Sequence, residues 1–120
     1  MAKVMIIDDS DAIRMVLNDI LLIGQHSLVA ELSSGIDALG EYVKSNPDIV
    51  LLDMAMPKKD GLAVIKEIRE HNSKAKIIMI SASDIQETVK DCISAGASAY
   101  ILKPFNFQDI LNIINQVAKS

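Results

Sequence analysis

Five short apolar runs punctuate the chain, and each is followed by a stretch whose apolar residues recur at helical spacing. Val4-Met5-Ile6-Ile7 precedes Ile13, Val16, Leu17, Ile20 and Leu21, and Leu28 to Leu32 precedes a weaker pattern of Ile36, Leu39 and Val43. Ile49-Val50-Leu51-Leu52 precedes Leu62, Ile65 and Ile68, and Ile77-Ile78-Met79-Ile80 precedes Ile85, Val89 and Ile93. The last run, Ala99-Tyr100-Ile101-Leu102, leads into Phe107, Ile110, Leu111, Ile114 and Val117. Short apolar runs suit strands, and the periodic stretches suit amphipathic helices. Five alternating βα units predict an α/β fold with a parallel sheet covered by helices.

The runs are not alike. The first, third and fourth are apolar at every position, as strands covered on both faces should be. The second contains Glu31, which suits an edge. A doubly wound sheet in the order 2-1-3-4-5 puts the second and fifth strands at its edges, whereas the common six-stranded order needs one more unit. No linker, repeat or low-complexity tract interrupts the 120 residues, so one domain over residues 1–120 is expected.

Composition narrows the function classes. The net charge is −4 without any dense Lys/Arg run, so direct nucleic-acid binding lacks its electrostatic footprint. The aromatic residues Tyr42, Tyr100, Phe105 and Phe107 are too scattered for a base-stacking platform. No apolar run reaches the about 18 residues that span a bilayer, and the start does not read as a signal peptide. A lone cysteine, Cys92, fits a reducing compartment, so the cytoplasm is the expected location. Neither glycine-rich phosphate-binding motif of dinucleotide or nucleoside-triphosphate sites occurs.

In an open parallel sheet, working residues sit beyond the carboxyl ends of strands where the strand order reverses. Asp8 and Asp9 follow the first run, Asp53 the third, Ser81 the fourth, and Lys103-Pro104 the fifth. With the first and third strands adjacent, three carboxylates converge. Carboxylates held together repel unless a cation sits among them. All-oxygen donors without His or Cys favour magnesium or calcium over zinc. Magnesium keeps waters and a substrate phosphate beside one or two carboxylates, which leaves a third free to react. With a lysine and a hydroxyl nearby, the set suits phosphoryl transfer to a carboxylate. Singly, each residue has a plainer reading: Asp8-Asp9-Ser10-Asp11 as a helix cap, Asp53 as a turn former, Ser81 and Lys103 as ordinary surface groups. Their joint placement at strand ends favours the chemical one.

At this point the sequence resembles the receiver domain of two-component response regulators, the single-domain chemotaxis type being nearest in length. The resemblance spans the chain. It is carried by Ile6-Ile7-Asp8-Asp9-Ser10, Leu51-Leu52-Asp53-Met54, Met56-Pro57-Lys58-Lys59-Asp60-Gly61, Ile80-Ser81-Ala82, Ala95-Gly96-Ala97 and Lys103-Pro104-Phe105. It implies a flavodoxin-like (βα)5 fold. The 2-1-3-4-5 order is itself typified by this family, so order and resemblance form one expectation. It implies that Asp53 takes a phosphoryl group from a phosphohistidine on a sensor histidine kinase. Asp9 and Asp53, with the Ala55 carbonyl, would bind Mg2+ directly, and Asp8 would act mainly through water. Ser81 and Lys103 would contact the phosphoryl oxygens, Tyr100 would be the aromatic switch, and Lys103-Pro104 a cis peptide. Serine at position 81 keeps the hydroxyl of the commoner threonine but loses its rotamer-restricting methyl. Ala55 and Ser83 occupy positions that modulate phosphoryl lifetime in the family, and both are small and uncharged here.

The expected output is a monomeric switch that docks on a motor or other downstream protein in chemotaxis. The alternatives are a phosphorelay intermediate that passes its phosphoryl group to a histidine phosphotransfer protein, and a receiver cut from a larger regulator. Met1 reads as a natural start, whereas an end at Ser120 just after the last helix suits either a whole protein or a cut. A phosphatase using an aspartyl-phosphate is the competing enzyme class, but Met54 and Ala55 supply no second acid or base and no insertion could form a cap. The chain is therefore expected to catalyse only its own phosphorylation and dephosphorylation. His26 and His71 lack ligand-like spacing and are expected in solvent. Cys92 is expected on or near a helix face, Gly61 at a turn or helix end, and Gly96 just past a helix C-terminus.

Overall fold

The computed structural model describes residues 1–120. In chain order it contains β1 (Lys3–Ile7), α1 (Asp11–Ile23), β2 (Ser27–Leu32), α2 (Ala38–Ser45), β3 (Ile49–Asp53), α3 (Gly61–His71), β4 (Ile77–Ser81), α4 (Gln86–Ala95), β5 (Ala99–Leu102) and α5 (Phe107–Ala118). The five strands form one parallel sheet in the order β2-β1-β3-β4-β5. The doubly wound, flavodoxin-like fold is as expected, and β2 with Glu31 lies at an edge.

Side chains alternate across a strand, and here both faces are covered. Val4, Ile6, Ile49, Leu51, Ile78 and Ile80 face α1 and α5, where they meet Leu17, Ile20, Leu21, Ile110, Ile114 and Val117. Met5, Ile7, Val50, Leu52, Ile77 and Met79 face α2, α3 and α4, against Ala38, Tyr42, Val64, Ile65, Ile68 and Cys92. Two cores back to back explain why β1, β3 and β4 are apolar at nearly every position. Gly96 ends α4 at φ 118°, a left-handed conformation that favours glycine.

Several helix faces differ from expectation. Val16, Ile36, Val43, Ile85, Ile93 and Phe107 are exposed. In α2 the inward residues are Ala38 and Tyr42, and Ile36 lies before the helix begins. Ile85 caps α4 and Phe107 opens α5, so both lie at helix ends rather than within the inward stripe. Periodicity finds an apolar stripe, but it does not decide which of two neighbouring stripes faces the sheet. His26 is buried rather than solvated: its Nδ1 accepts the Ala2 N–H at 3.0 Å. Burial and the nearby N-terminal charge hold its pKa below the usual histidine value, against a hydrogen bond with Asn115. His71 is exposed as expected, and Cys92 is buried. No helix is long and apolar enough to cross a membrane.

Candidate functional site

The register brings the ends of β1 and β3 level, with Ile7 opposite Leu52 and the next residues, Asp8 and Asp53, side by side. Asp8 is 1% exposed and Asp53 5%, whereas Asp9 is open to solvent. One oxygen from each of the three carboxylates lies within 4.8 Å of the others. Asp8 keeps a local task as well, since its Oδ1 accepts the Ser10 N–H at 2.9 Å. Ser10 in turn caps α1, its hydroxyl accepting the Ile13 N–H at 3.2 Å. Capping and clustering therefore coexist in the Asp8-Asp9-Ser10 segment.

Lys103 enters just beyond β5. Its Nζ stands 3.3 Å from Asp8 Oδ2 and 3.3 Å from Asp53 Oδ1, and its N–H donates to the Ser81 carbonyl at 2.8 Å. One ammonium against three carboxylates leaves excess negative charge. Burial, and then Asp8, push the Asp53 carboxyl above its ordinary value, and Lys103 and a backbone hydrogen bond from Ala55 oppose them. A crowded, incompletely neutralised, all-oxygen cluster with one open side fits a hard divalent cation such as magnesium. The Asp8, Asp9 and Asp53 carboxylates would be the groups to hold it.

Ser81 ends β4, is 2% exposed, and its Oγ accepts the Ser83 N–H at 3.1 Å. Tyr100 is half-buried on β5, and its hydroxyl donates to the Ser83 carbonyl at 2.8 Å. Ser83 thus joins Ser81 to Tyr100 through its two backbone groups. The Lys103-Pro104 peptide is cis, as the resemblance implied. Asp8, Asp9, Asp53 and Lys103 converge, while Ser81, Ala55 and Tyr100 lie on the adjoining segments.

Two residues were undervalued in the sequence. Gly61 is more than a helix start: a Cβ there would stand 2.6 Å from the Asp53 carbonyl oxygen and 2.9 Å from Met54 Cα. Any side chain would displace the loop that follows Asp53. Arg14 donates to the Asp8 carbonyl, a role whose only sequence signal is a charged residue beside the inward stripe of α1.

Comparisons with known proteins agree with this geometry. Residues 4–115 match the response regulator receiver domain family. The chain is 40% identical over 114 residues to the chemotaxis protein CheY of Bacillus subtilis, covering 95% of each chain. It is 38% identical over 117 residues to the CheY of Thermotoga maritima, covering 98% of each. Among solved structures it resembles a complex of CheX with CheY, BeF3 and magnesium from Borrelia burgdorferi. That match has a TM-score of 0.92 at 34% identity and covers 96% of this chain and 87% of that one. The chain belongs to the response regulator receiver domain family.

Proposed function

We propose that residues 1–120 form one receiver domain, a phosphorylation-activated switch of a chemotaxis system, with Asp53 as the phosphoryl acceptor. The observation that carries this reading is the meeting of Asp8, Asp9, Asp53 and Lys103 from three separate strand ends. An ionised Asp53 oxygen attacks the phosphorus of a phosphohistidine on a sensor histidine kinase. The P–N bond breaks, and its electron pair leaves with the imidazole. Lys103 places its ammonium against a phosphoryl oxygen. Ser81 has its acceptor side engaged by Ser83, which frees its O–H to donate to another phosphoryl oxygen. In dephosphorylation, water attacks phosphorus, the P–O bond to Asp53 breaks with its electron pair restoring the carboxylate, and inorganic phosphate leaves while the water gives up a proton to phosphate or solvent. Magnesium, held by Asp8, Asp9, Asp53 and the Ala55 carbonyl, would neutralise charge on the transferring group. The domain acts on no external substrate.

For output, movement of Ser81 toward the phosphoryl group shifts Ser83 and releases the Tyr100 hydroxyl, so that the ring can turn inward. The face of α4, β5 and α5, which exposes Ile85, Ile93, Leu102 and Phe107, then changes shape. The likeness to CheY supports a partner in a motor or other downstream protein, and a cytoplasmic, monomeric protein. Asp53→Asn is expected to abolish labelling by acetyl phosphate while leaving the fold intact, and a chelator is expected to do the same to wild type. Full labelling in either case would overturn the assignment. Pull-downs with phosphorylated and unphosphorylated protein distinguish a motor component from a histidine phosphotransfer protein.

A further inference from the structure

Asp8 is the most deeply buried carboxylate of the cluster, and its main chain is held from a strand that lends the site no side chain. Its N–H donates to the Leu32 carbonyl at 3.1 Å, and its carbonyl accepts from the Arg14 guanidinium. Arg14 is anchored in turn, its Nε donating to Glu31 Oε2 at 3.0 Å and its Nη2 to Asp11. Glu31 and Leu32 are neighbours on β2, opposite Ile6 and Ile7 of β1. Both polar groups of Asp8 are therefore fixed by β2, one directly and one through Arg14. The Arg14 side chain is 12% exposed, against 42% for Glu31, so the guanidinium is the buried member of the clamp.

We infer that Arg14 is a positioning residue for the cation site. By tying the Asp8 carbonyl to Glu31, it fixes the loop from which Asp8 and Asp9 present their carboxylates. It thereby raises affinity for a divalent cation before any phosphoryl group arrives. This inference rests on the reading that the cluster holds magnesium. A planar fork with five donors can serve a carbonyl and two carboxylates together, whereas a lysine ammonium on a flexible stem cannot keep that geometry.

The test titrates magnesium chloride into the unphosphorylated protein and follows the amide shifts of Asp8, Asp9 and Asp53. Groups that orient metal ligands commonly matter by 10-fold or more, so Arg14→Ala is expected to bind magnesium on the order of tenfold more weakly. Arg14→Lys should recover only part of that loss, and Glu31→Gln, which keeps an acceptor oxygen, should lose less. Ile114→Val, a core change on α5, should lower thermal stability and leave magnesium affinity unchanged. Unchanged affinity in Arg14→Ala overturns the inference, and so does an equal loss in Ile114→Val, which would make the effect one of general stability. If Arg14→Ala does not fold, Glu31→Ala carries the test: weaker binding supports the clamp and unchanged binding overturns it. A wild type whose shifts ignore magnesium removes the metal reading and this inference together. A wild type that binds, beside an Arg14→Ala that binds equally well, removes this inference alone.

Discussion

α1 and α4 both follow strands that end in the site, yet they are held very differently. α1 is capped by the Ser10 hydroxyl, clamped through Arg14, and buries Leu17, Ile20 and Leu21. α4 begins at Ile85, which makes no side-chain capping bond, and buries Cys92 alone. That single anchor lies against Met54, with Cys92 Sγ 3.7 Å from the Met54 sulfur, one residue from Asp53. The cluster's Asp8 and Asp9 are thus presented from a fixed platform, while the helix beyond Ser81 rests on one buried residue. A switch needs both: carboxylates that do not move and an element of low local stability that does.

The largest effect expected from this contrast concerns a well-anchored helix. Ile114→Ala on α5 empties a fully buried position and should cost about 2–5 kcal/mol, several degrees of Tm per kcal/mol at this length. Amide exchange in α4 should by contrast proceed through local opening, well ahead of α1 and without global unfolding. Equal protection of α1 and α4 would erase the comparison. Next in size is Ser10→Ala, which removes the cap of α1 and should cost about 1 kcal/mol in urea unfolding. Ile85→Asp runs the other way. It gives α4 a capping carboxylate at an exposed position and should stabilise the protein by about 0.5–1 kcal/mol. No gain there would mean that α4 is already firmly held.

The smallest effect is electrostatic and belongs to the rigid half. The folded Asp53 pKa lies above its ordinary value of 3.8, so in the pH interval between the two the folded state keeps a proton that the unfolded state has lost. Stability attributable to Asp53 therefore falls as pH rises through that interval. Asp53→Asn removes this penalty, offset in part by the lost ion pair with Lys103. It should exceed wild type in stability at neutral pH, the gap closing as pH falls toward 3.8 and below. Urea midpoints for both proteins across pH check this, and a gap independent of pH would refute it.

The same contrast shows what the sequence could and could not convey. Strands buried on both faces read as unbroken apolar runs, so β1, β3 and β4 and the polar residues just beyond them were legible. Edge β2 was legible through Glu31. The faces of α2 and α4 were not, because a short or lightly buried helix leaves its apolar residues scattered, and Ile36, Val43, Ile85 and Ile93 mimic an inward stripe. His26 was misread because its partner, the Ala2 N–H, is brought to it only by the pairing of β1 with β2. Arg14 and Glu31, 17 residues apart, meet for the same reason. The clustered carboxylates Asp8, Asp9 and Asp53 were readable from position alone; the contacts that Arg14 and Glu31 make behind Asp8 were not.

The alternation that builds two cores also sorts the chemistry by parity. Asp53 continues the phase of Ile49 and Leu51, which face α1 and α5, and Asp8 continues that of Val4 and Ile6. Lys103 follows Ile101 in the same phase, so the charged trio belongs to one side of the sheet. Ser81 continues Ile77 and Met79, and Met54 continues Val50 and Leu52, so both belong to the side of α3 and α4. The charged groups lie on one side and the Ser81 and Met54 side chains on the other, with a single peptide step between Asp53 and Met54 joining the two. Deleting one residue inside β3 would therefore do more than shorten a strand. It would exchange the two inward faces and carry Asp53 away from Asp8 and Lys103 in the same stroke.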